Sequence, residues 1–377
     1  MGTPGERVDL LFDARHIDQS GIGTYITVQI PALEDVFARH GRTLAVLADR
    51  DYAPDVGATT SVVYSDPTNA PMYSLHEQRA WDHALDAVRP RAFWTPHYPF
   101  PFTLLRPRHR DVLAFITVHD DNHLLPTEIS GQSNLRRAYA RAMLGLDARR
   151  ARILFSPSQA AADALAAYVP SARFVVTPIP VGPQWLQPAD PGRSPVQDKF
   201  LLYLGNVKRH KNLPLLLEAY AQVQHDIPHR LVIAGSGASV KMLDERVHEL
   251  ATTLGERVQM IGRLDFDALH ALVAAADLLV MPSLNEGAGL PPLEAMASGT
   301  AVLSSRIPPL RETCGDGADY FDPYDPQELA ALLRRYCLDD AARAGLQARG
   351  HTHVHRRQAE IPTHAAAEAI CAELPRR

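Results

Sequence analysis

The feature that most constrains this chain is a repeated alternation. Short, nearly uninterrupted apolar runs are each followed by a longer stretch with one apolar face. The runs fall at 8–12, 44–48, 92–94, 112–118, 153–156 and 174–177, then at 200–204, 230–234, 258–261, 278–281 and 301–304. The amphipathic stretches cover 22–38, 74–88, 133–150 and 159–168, then 213–224, 241–254, 266–276, 292–297 and 326–337. Runs that are apolar on both faces read as strands covered on both sides. Regular strand–helix alternation predicts βαβ units and parallel sheets, an α/β fold.

At 377 residues the chain is long enough for two such domains. The break is expected where Pro178, Pro180, Pro183, Pro188, Pro191 and Pro195 crowd together with Gly182 and Gly192. So many fixed φ angles suit neither helix nor strand. The sequence therefore predicts an N-terminal domain over 1–180, a linker over 181–198 and a second domain over 199–350. An alanine-rich helical tail over 351–377 is expected to pack back on the first domain.

Composition excludes several classes. The net charge of -5 leaves no basic excess for bulk nucleic-acid binding. Cys314, Cys337 and Cys371 show no CxxC spacing, so neither a disulfide framework nor a cysteine zinc site is expected. No run approaches the ~18 apolar residues of a membrane span. The start, MGTPGERVDLLFDAR, lacks a basic region followed by an apolar one, so no signal peptide and a cytoplasmic location are expected.

Open parallel sheets bind ligands beyond the C-terminal ends of their strands, so chemistry is sought in the strand-to-helix turns. After the run at 278–281 comes Leu284-Asn285-Glu286-Gly287-Ala288-Gly289-Leu290-Pro291-Pro292-Leu293-Glu294. Its glycines permit close backbone approach and its prolines suit a first helical turn. The helix start then offers N–H groups and a positive dipole end to a diphosphate. Glu286 is expected in the loop and Glu294 about one turn into the helix. After the run at 200–204 stands Gly205-Asn206-Val207-Lys208-Arg209-His210-Lys211-Asn212, a turn whose cations suit phosphates, with Lys211 nearest the helix. Ser20-Gly21-Ile22-Gly23-Thr24-Tyr25 opens a long helix with small residues, and Val118-His119-Asp120-Asp121-Asn122 puts a histidine at a strand end. Asp120 and Asp121 resemble an acidic metal pair but lack further ligands, so no metal is expected. Gly235-Ser236-Gly237 begins a dinucleotide fingerprint, but Val240 stands where its third glycine belongs. His351, His353 and His355 are read as solvated tail residues that do not share one helix face.

The string SLNEGAGLPPLEAMASGTAVLSS resembles the donor-site motif of retaining nucleotide-sugar glycosyltransferases of family four, with two glutamates eight positions apart. The likeness continues through LLYLGNVKRHKNLPLLLEAY, LVIAGSG, VQMIGRL and LHALVAAADLLVMPS, and more loosely through SGIGTY, FITVHD and FSPSQAAADAL. The resemblance implies a GT-B architecture, two Rossmann-like domains facing across a cleft. It implies that Glu286 contacts the transferred sugar and Glu294 the ribose. Amides of Gly287, Ala288, Gly289 and Leu290 would meet the diphosphate. Lys211 would take the phosphate-binding lysine position, with Gly205, Gly262 and Arg263 also lining the donor. His119 would lie beside the transferred sugar, and Gly21, Ile22 and Gly23 would form the glycine loop near donor and acceptor. Where the family often has Arg after the glycine, this chain has Asn206, leaving Lys208 or Arg209 to supply the second cation unless Lys211 and the helix dipole suffice.

The implied reaction transfers a hexose from a nucleotide diphosphate sugar to an acceptor hydroxyl, with retained configuration, by a front-face route and without metal or other cofactor. GDP-mannose is the preferred donor at family level, and the acceptor is a glycan or a lipid-linked glycan of a bacterial surface polysaccharide. Residues 134–155 carry Arg136, Arg137, Arg141, Arg149, Arg150 and Arg152 against Asp147 alone, which suits peripheral contact with an anionic membrane as well as an ordinary solvent face. Two other readings compete: a sugar-nucleotide-binding scaffold that has lost catalysis, and an NAD-dependent dehydrogenase, which would need a complete GxGxxG.

Overall fold

The computed structural model describes residues 7–19, 21–235 and 245–375. In chain order the first elements are β1 (Leu10–Asp13), α1 (Ile22–Arg39), β2 (Leu44–Ala48), β3 (Ser61–Tyr64), α2 (Leu75–Val88), β4 (Ala92–Thr95), β5 (Leu113–Thr117), α3 (Thr127–Ser130), α4 (Asn134–Arg150), β6 (Ala151–Ser156), α5 (Gln159–Ala166) and β7 (Phe174–Val176). There follow β8 (Phe200–Leu204), α6 (Leu213–Ala221), β9 (Arg230–Ala234), α7 (Glu245–Leu254), β10 (Val258–Ile261), α8 (Phe266–Ala275), β11 (Leu278–Met281), α9 (Leu290–Ala297), β12 (Ala301–Ser305), α10 (Pro308–Cys314), β13 (Asp319–Phe321), α11 (Pro326–Leu338), α12 (Asp340–Glu360) and α13 (Ala365–Glu373).

These elements form two units, each an α/β layer structure around its own parallel sheet. The first unit holds the chain through Leu124, Asn134–Ile179 and the residues from Pro362 onward. Its sheet runs β3-β2-β1-β4-β5-β6-β7. The second unit holds Leu125–Ser133 and Pro180–Ile361, with the sheet β10-β9-β8-β11-β12-β13. Strands such as β1, β2, β8 and β11 are buried almost throughout, as their apolar runs require. Both sheets have the doubly wound order, in which strand order reverses about one neighbouring pair. That pair is β1 and β4 in the first sheet and β8 and β11 in the second. Loops leaving these strands flank a crevice, so the fold itself selects the turns after β1, β4, β8 and β11.

Three boundaries differ from the sequence reading. Residues 181–198 are no free linker: Val181, Trp185 and Val196 are buried in the core of the second unit. Prolines exclude helix and strand there but not packing, and Trp185 meets Phe266 and His270 edge-on at 5.1 Å each. The tail divides later than expected, since α12 stays with the second unit and only residues from Pro362 join the first. There α13 buries Ala366, Ala367, Ile370 and Cys371. Its Glu373 pairs with Arg152 and Arg173, and Glu368 accepts from Arg39 of α1 at 3.1 Å. The third is Leu125–Ser133, which follows β5 in sequence yet belongs to the second unit.

Candidate functional site

In the second unit, the turns after β8 and β11 meet. Beyond β8, a 3-10 turn over Arg209–Lys211 leads through left-handed Asn212 (φ 55) into α6. Asn212 is fixed there because its Nδ2 donates to the Pro323 carbonyl at 2.8 Å. Lys211 therefore stands at the helix start. Beyond β11, the Leu284 N–H donates to the His210 carbonyl at 2.7 Å, which ties the two turns together. Across this tie the Lys211 Nζ donates to Glu286 Oε1 at 2.6 Å. The Ser283 hydroxyl donates to the same oxygen at 2.7 Å. Ser283 is held in turn: its carbonyl accepts from the Ser305 hydroxyl at 2.6 Å. Neither serine stood out in the sequence, although Ser283 lies only three residues before Glu286.

Glycine is favoured next to this pair. Gly289 caps α9 at φ 63, and a Cβ there would lie 2.3 Å from Leu310 Cδ2. The Ala288 carbonyl is pinned by the Thr313 hydroxyl at 2.7 Å, so the loop reaches α9 in one conformation. Because Pro291 and Pro292 have no N–H, and the Leu293 N–H is taken by the first turn of the helix, the donors of this helix start are the amides up to Leu290. Glu294 lies one turn along, and its carboxyl has no hydrogen-bond partner among the described residues. Burial without a partner raises its pKa to about 7.

The remaining donor-side residues are more open. Gly205 and Asn206 are half-buried, and the Tyr203 hydroxyl donates to the Asn206 carbonyl at 2.7 Å. The Asn206 Oδ1 is buried without a partner among the described residues. Lys208 and Arg209 are exposed. Gly262 and Arg263 are exposed after β10, at the edge of the sheet. Of Gly235-Ser236-Gly237, the last two residues lie outside those described, as do Ser20 and Val240.

The first unit carries its own residues at its own switch point. Gly21 (φ 79) caps α1, and Gly23 is required by close approach, since a Cβ would lie 2.2 Å from the Ile17 carbonyl oxygen. Ile22 is half-buried between them. His119 follows β5, the neighbour of β4. Its Nε2 lies 2.8 Å from the Pro96 carbonyl, which can only accept, so Nε2 carries the proton and Nδ1 keeps a lone pair. Burial lowers the His119 pKa below its ordinary value, more than the Pro96 contact raises it. The Tyr25 ring stands edge-on to it at 5.1 Å.

Two expectations outside the site are corrected. His353 is not solvated: it is buried, with Nε2 2.9 Å from the Thr313 carbonyl and Nδ1 3.2 Å from Asp316. His351 and His355 do share a face, four residues apart, with their Nε2 atoms 3.1 Å apart. The basic stretch 134–155 is also divided. The helix ends at Arg150, and Arg152, on β6, is engaged by Glu373. On α4 itself Asp147 is buried, and burial raises its carboxyl well above the usual range. The exposed face of α4 carries Arg136, Arg141, Arg149 and Arg150, with Leu135 81% exposed and Tyr139 43% exposed among them. Among the described residues, no helix is long and apolar enough to cross a membrane.

With this geometry in view, comparison with known proteins is informative. Residues 189–353 match the family described as Glycosyl transferases group 1. A serotype-specific mannosyltransferase of Escherichia coli is 37% identical over 149 residues, 38% of this chain and 18% of that protein. The chain thus spans less than a third of the length of the first curated relatives it matches. The O-antigen chain mannosyltransferase B of Escherichia coli is 26% identical over 360 residues, 92% of this chain and 88% of that one. Among solved structures, a sucrose-phosphate synthase from Thermosynechococcus elongatus superposes with a TM-score of 0.74 at 21% identity, covering 97% of this chain and 98% of its own. That likeness establishes the fold: two Rossmann-like domains, as in GT-B glycosyltransferases.

Proposed function

We propose that the chain is a retaining hexosyltransferase of the family-four, GT-B glycosyltransferase type, acting on a nucleotide diphosphate sugar. The observation that carries this reading is the Lys211–Glu286–Ser283 cluster, made by the two turns that leave the switch-point strands of the second sheet. An ammonium has three protons, and Glu286 takes one. The others can meet phosphate oxygens, together with the amides up to Leu290 and the positive end of α9. Charge growing on the departing diphosphate is then met by groups already in place. The Glu286 carboxylate, aligned by Ser283, binds hydroxyls of the transferred sugar, and Glu294 binds the ribose. The reading needs no metal and no cofactor besides the co-substrate. Asn206 carries no charge, so Lys208 or Arg209, both exposed, can swing in as a second cation.

His119 and the turn Gly21–Gly23 belong to the sugar and acceptor side of this reaction. A front-face route lets the departing phosphate oxygen take the acceptor proton, so no side chain is required as covalent nucleophile. The two mannosyltransferase relatives favour mannose as the transferred sugar, and GDP as its carrier is the family-level expectation. The acceptor is a glycan or lipid-linked glycan, and the basic face of α4 provides peripheral contact with an anionic membrane.

The test is a calorimetric and thermal-shift screen of the purified protein, in EDTA, against GDP, UDP, ADP, dTDP, NAD and their sugar conjugates. Selective stabilisation by one nucleoside diphosphate is expected, followed by transfer with the anomeric configuration kept in the product NMR spectrum. Binding of NAD alone overturns the reading for a dehydrogenase. Donor binding without transfer to any glycan acceptor, with or without anionic vesicles, leaves a binding scaffold.

A further inference from the structure

One buried carboxylate does more than its helix needs. Glu77 is fully buried in the first turn of α2. It forms a capping arrangement with Ser74, whose hydroxyl accepts from the Glu77 N–H at 3.1 Å. Its Oε2 accepts from the Tyr73 N–H at 2.8 Å. That much is helix capping, with one peculiarity: Tyr73 sits at φ 63, a conformation that a bulky residue adopts only under constraint.

The other oxygen has no capping role. Oε1 lies 2.8 Å from His97 Nε2 and 3.2 Å from His16 Nε2, with Arg15 Nη2 at 3.7 Å. His16 and His97 are both buried. Arg15 donates its Nε and Nη2 to Asp13, at 2.9 and 2.7 Å, while its Nη1 is buried without a partner among the described residues; Asp13 also accepts from Trp81 Nε1 at 2.6 Å. The two imidazoles and Glu77 could together ligate a cation, but the Arg15 guanidinium beside the shared oxygen opposes a second positive charge. The arrangement is a clamp. Displacing any one of these buried groups would leave its partner unpaired, which holds the Glu77 carboxylate and the two imidazoles in place.

What the clamp grips is informative. His16 lies on the segment that leads from β1 into the turn Gly21–Gly23, and its Nδ1 lies 3.2 Å from Gln19 Nε2. His97 directly follows Pro96, whose carbonyl orients the His119 ring. Tyr73 packs against His97, Tyr98 and His123 at 6.2, 5.5 and 5.9 Å. One side chain thus fixes the turn after β1, the turn after β4 and a constrained tyrosine, all at the first sheet's switch point. We infer that Glu77 is a positioning residue for transfer: through His97 and Pro96 it sets the orientation of His119, and through His16 the path of the glycine turn. This rests on the reading of His119 as a neighbour of the transferred sugar.

The test is Glu77→Gln, which keeps shape and removes the shared charge, with His97→Gln beside it as a variant that still offers an amide donor to Glu77. Misplacing a reacting contact by about 1 Å costs on the order of 100-fold. Glu77→Gln is therefore expected to lower kcat by about 100-fold while donor KM and nucleoside diphosphate affinity stay within about twofold of the unaltered protein. The ring 15N signals of His119 should shift in the same variant, and His97→Gln should retain more activity than His97→Ala. Unchanged kcat refutes the inference. So does a loss that matches the unfolded fraction while the His119 signals stay put. If the unaltered protein transfers no sugar, the functional reading falls, and the His119 signals alone still decide whether Glu77 orients that ring.

Discussion

Glu294→Gln is expected to stabilise the protein at pH 8 and to change little at pH 4. The reasoning starts from a carboxyl without a partner, whose pKa is raised from 4.5 to about 7 by burial. A carboxyl that binds its proton more tightly when folded makes stability fall as pH rises. The loss begins near the unfolded pKa of 4.5 and is complete above the folded value of about 7. At 1.36 kcal/mol per pKa unit this amounts to about 3 kcal/mol at most. Glu294 is only half-buried, and solvent screening brings the expected gain of the glutamine variant at pH 8 to about 1–2 kcal/mol.

The assay is the difference in melting temperature between the two proteins, followed from pH 4 to pH 8. The difference should open from about pH 4.5 to about pH 7 and then level off. The same carboxyl should cost the variant nucleotide affinity if it binds ribose. Calorimetry in buffers of different ionisation enthalpy would then show proton release on nucleotide binding near pH 6.5, absent from the variant. A variant less stable at pH 8, or a difference that does not grow with pH, refutes the reasoning: Glu294 would then be ionised and paired in solution.

Further outcomes follow from the same geometry. Glu286→Ala should lower turnover by at least about 100-fold and leave the circular dichroism spectrum unchanged; near-normal transfer removes Glu286 from the site. Lys211→Ala should weaken nucleoside diphosphate binding by about 10-fold to 100-fold in calorimetry, the worth of one charged hydrogen bond, and unchanged affinity points instead to Lys208 or Arg209. Gly289→Ala should destabilise the second unit by about 1–2 kcal/mol in urea, because φ 63 and the approach of Leu310 both resist a Cβ.

Much of this architecture was legible because both sheets bury their strands on two faces. Every apolar run picked from the sequence became a strand. The two strands missed, β3 and β13, are sheet edges of four and three residues. An edge is covered on fewer sides and needs no continuous apolar run. The proline-rich stretch misled for a related reason: proline forbids regular hydrogen bonding but not burial, and Trp185 anchors the segment. At the site, Lys211 and Glu286 were legible from turn position, yet their contact was not, because it depends on how two turns 75 residues apart are tied. Glu77, His16 and His97 were illegible altogether. None lies in a motif, and their role exists only once three elements converge.

The two units also differ in the kind of polarity they offer, and His119 tests whether that difference has chemical meaning. The second unit presents cationic and dipolar groups, as a diphosphate requires. The first presents glycines and an imidazole that burial keeps neutral, its pKa lowered below 6.5. A sugar carrying positive charge at its anomeric carbon in the transition state is poorly served by an adjacent cation. The neutral form should therefore be the active one, and since the pKa is lowered, protonation should switch transfer off only below pH 6.5. His119→Asn can still donate to the Pro96 carbonyl; it should keep donor affinity, lose turnover and lack that acid limb. An acid limb centred above pH 6.5 that disappears in His119→Asn would mean the folded protein favours the charged ring, and the division of polarity between the units would lose its chemical basis.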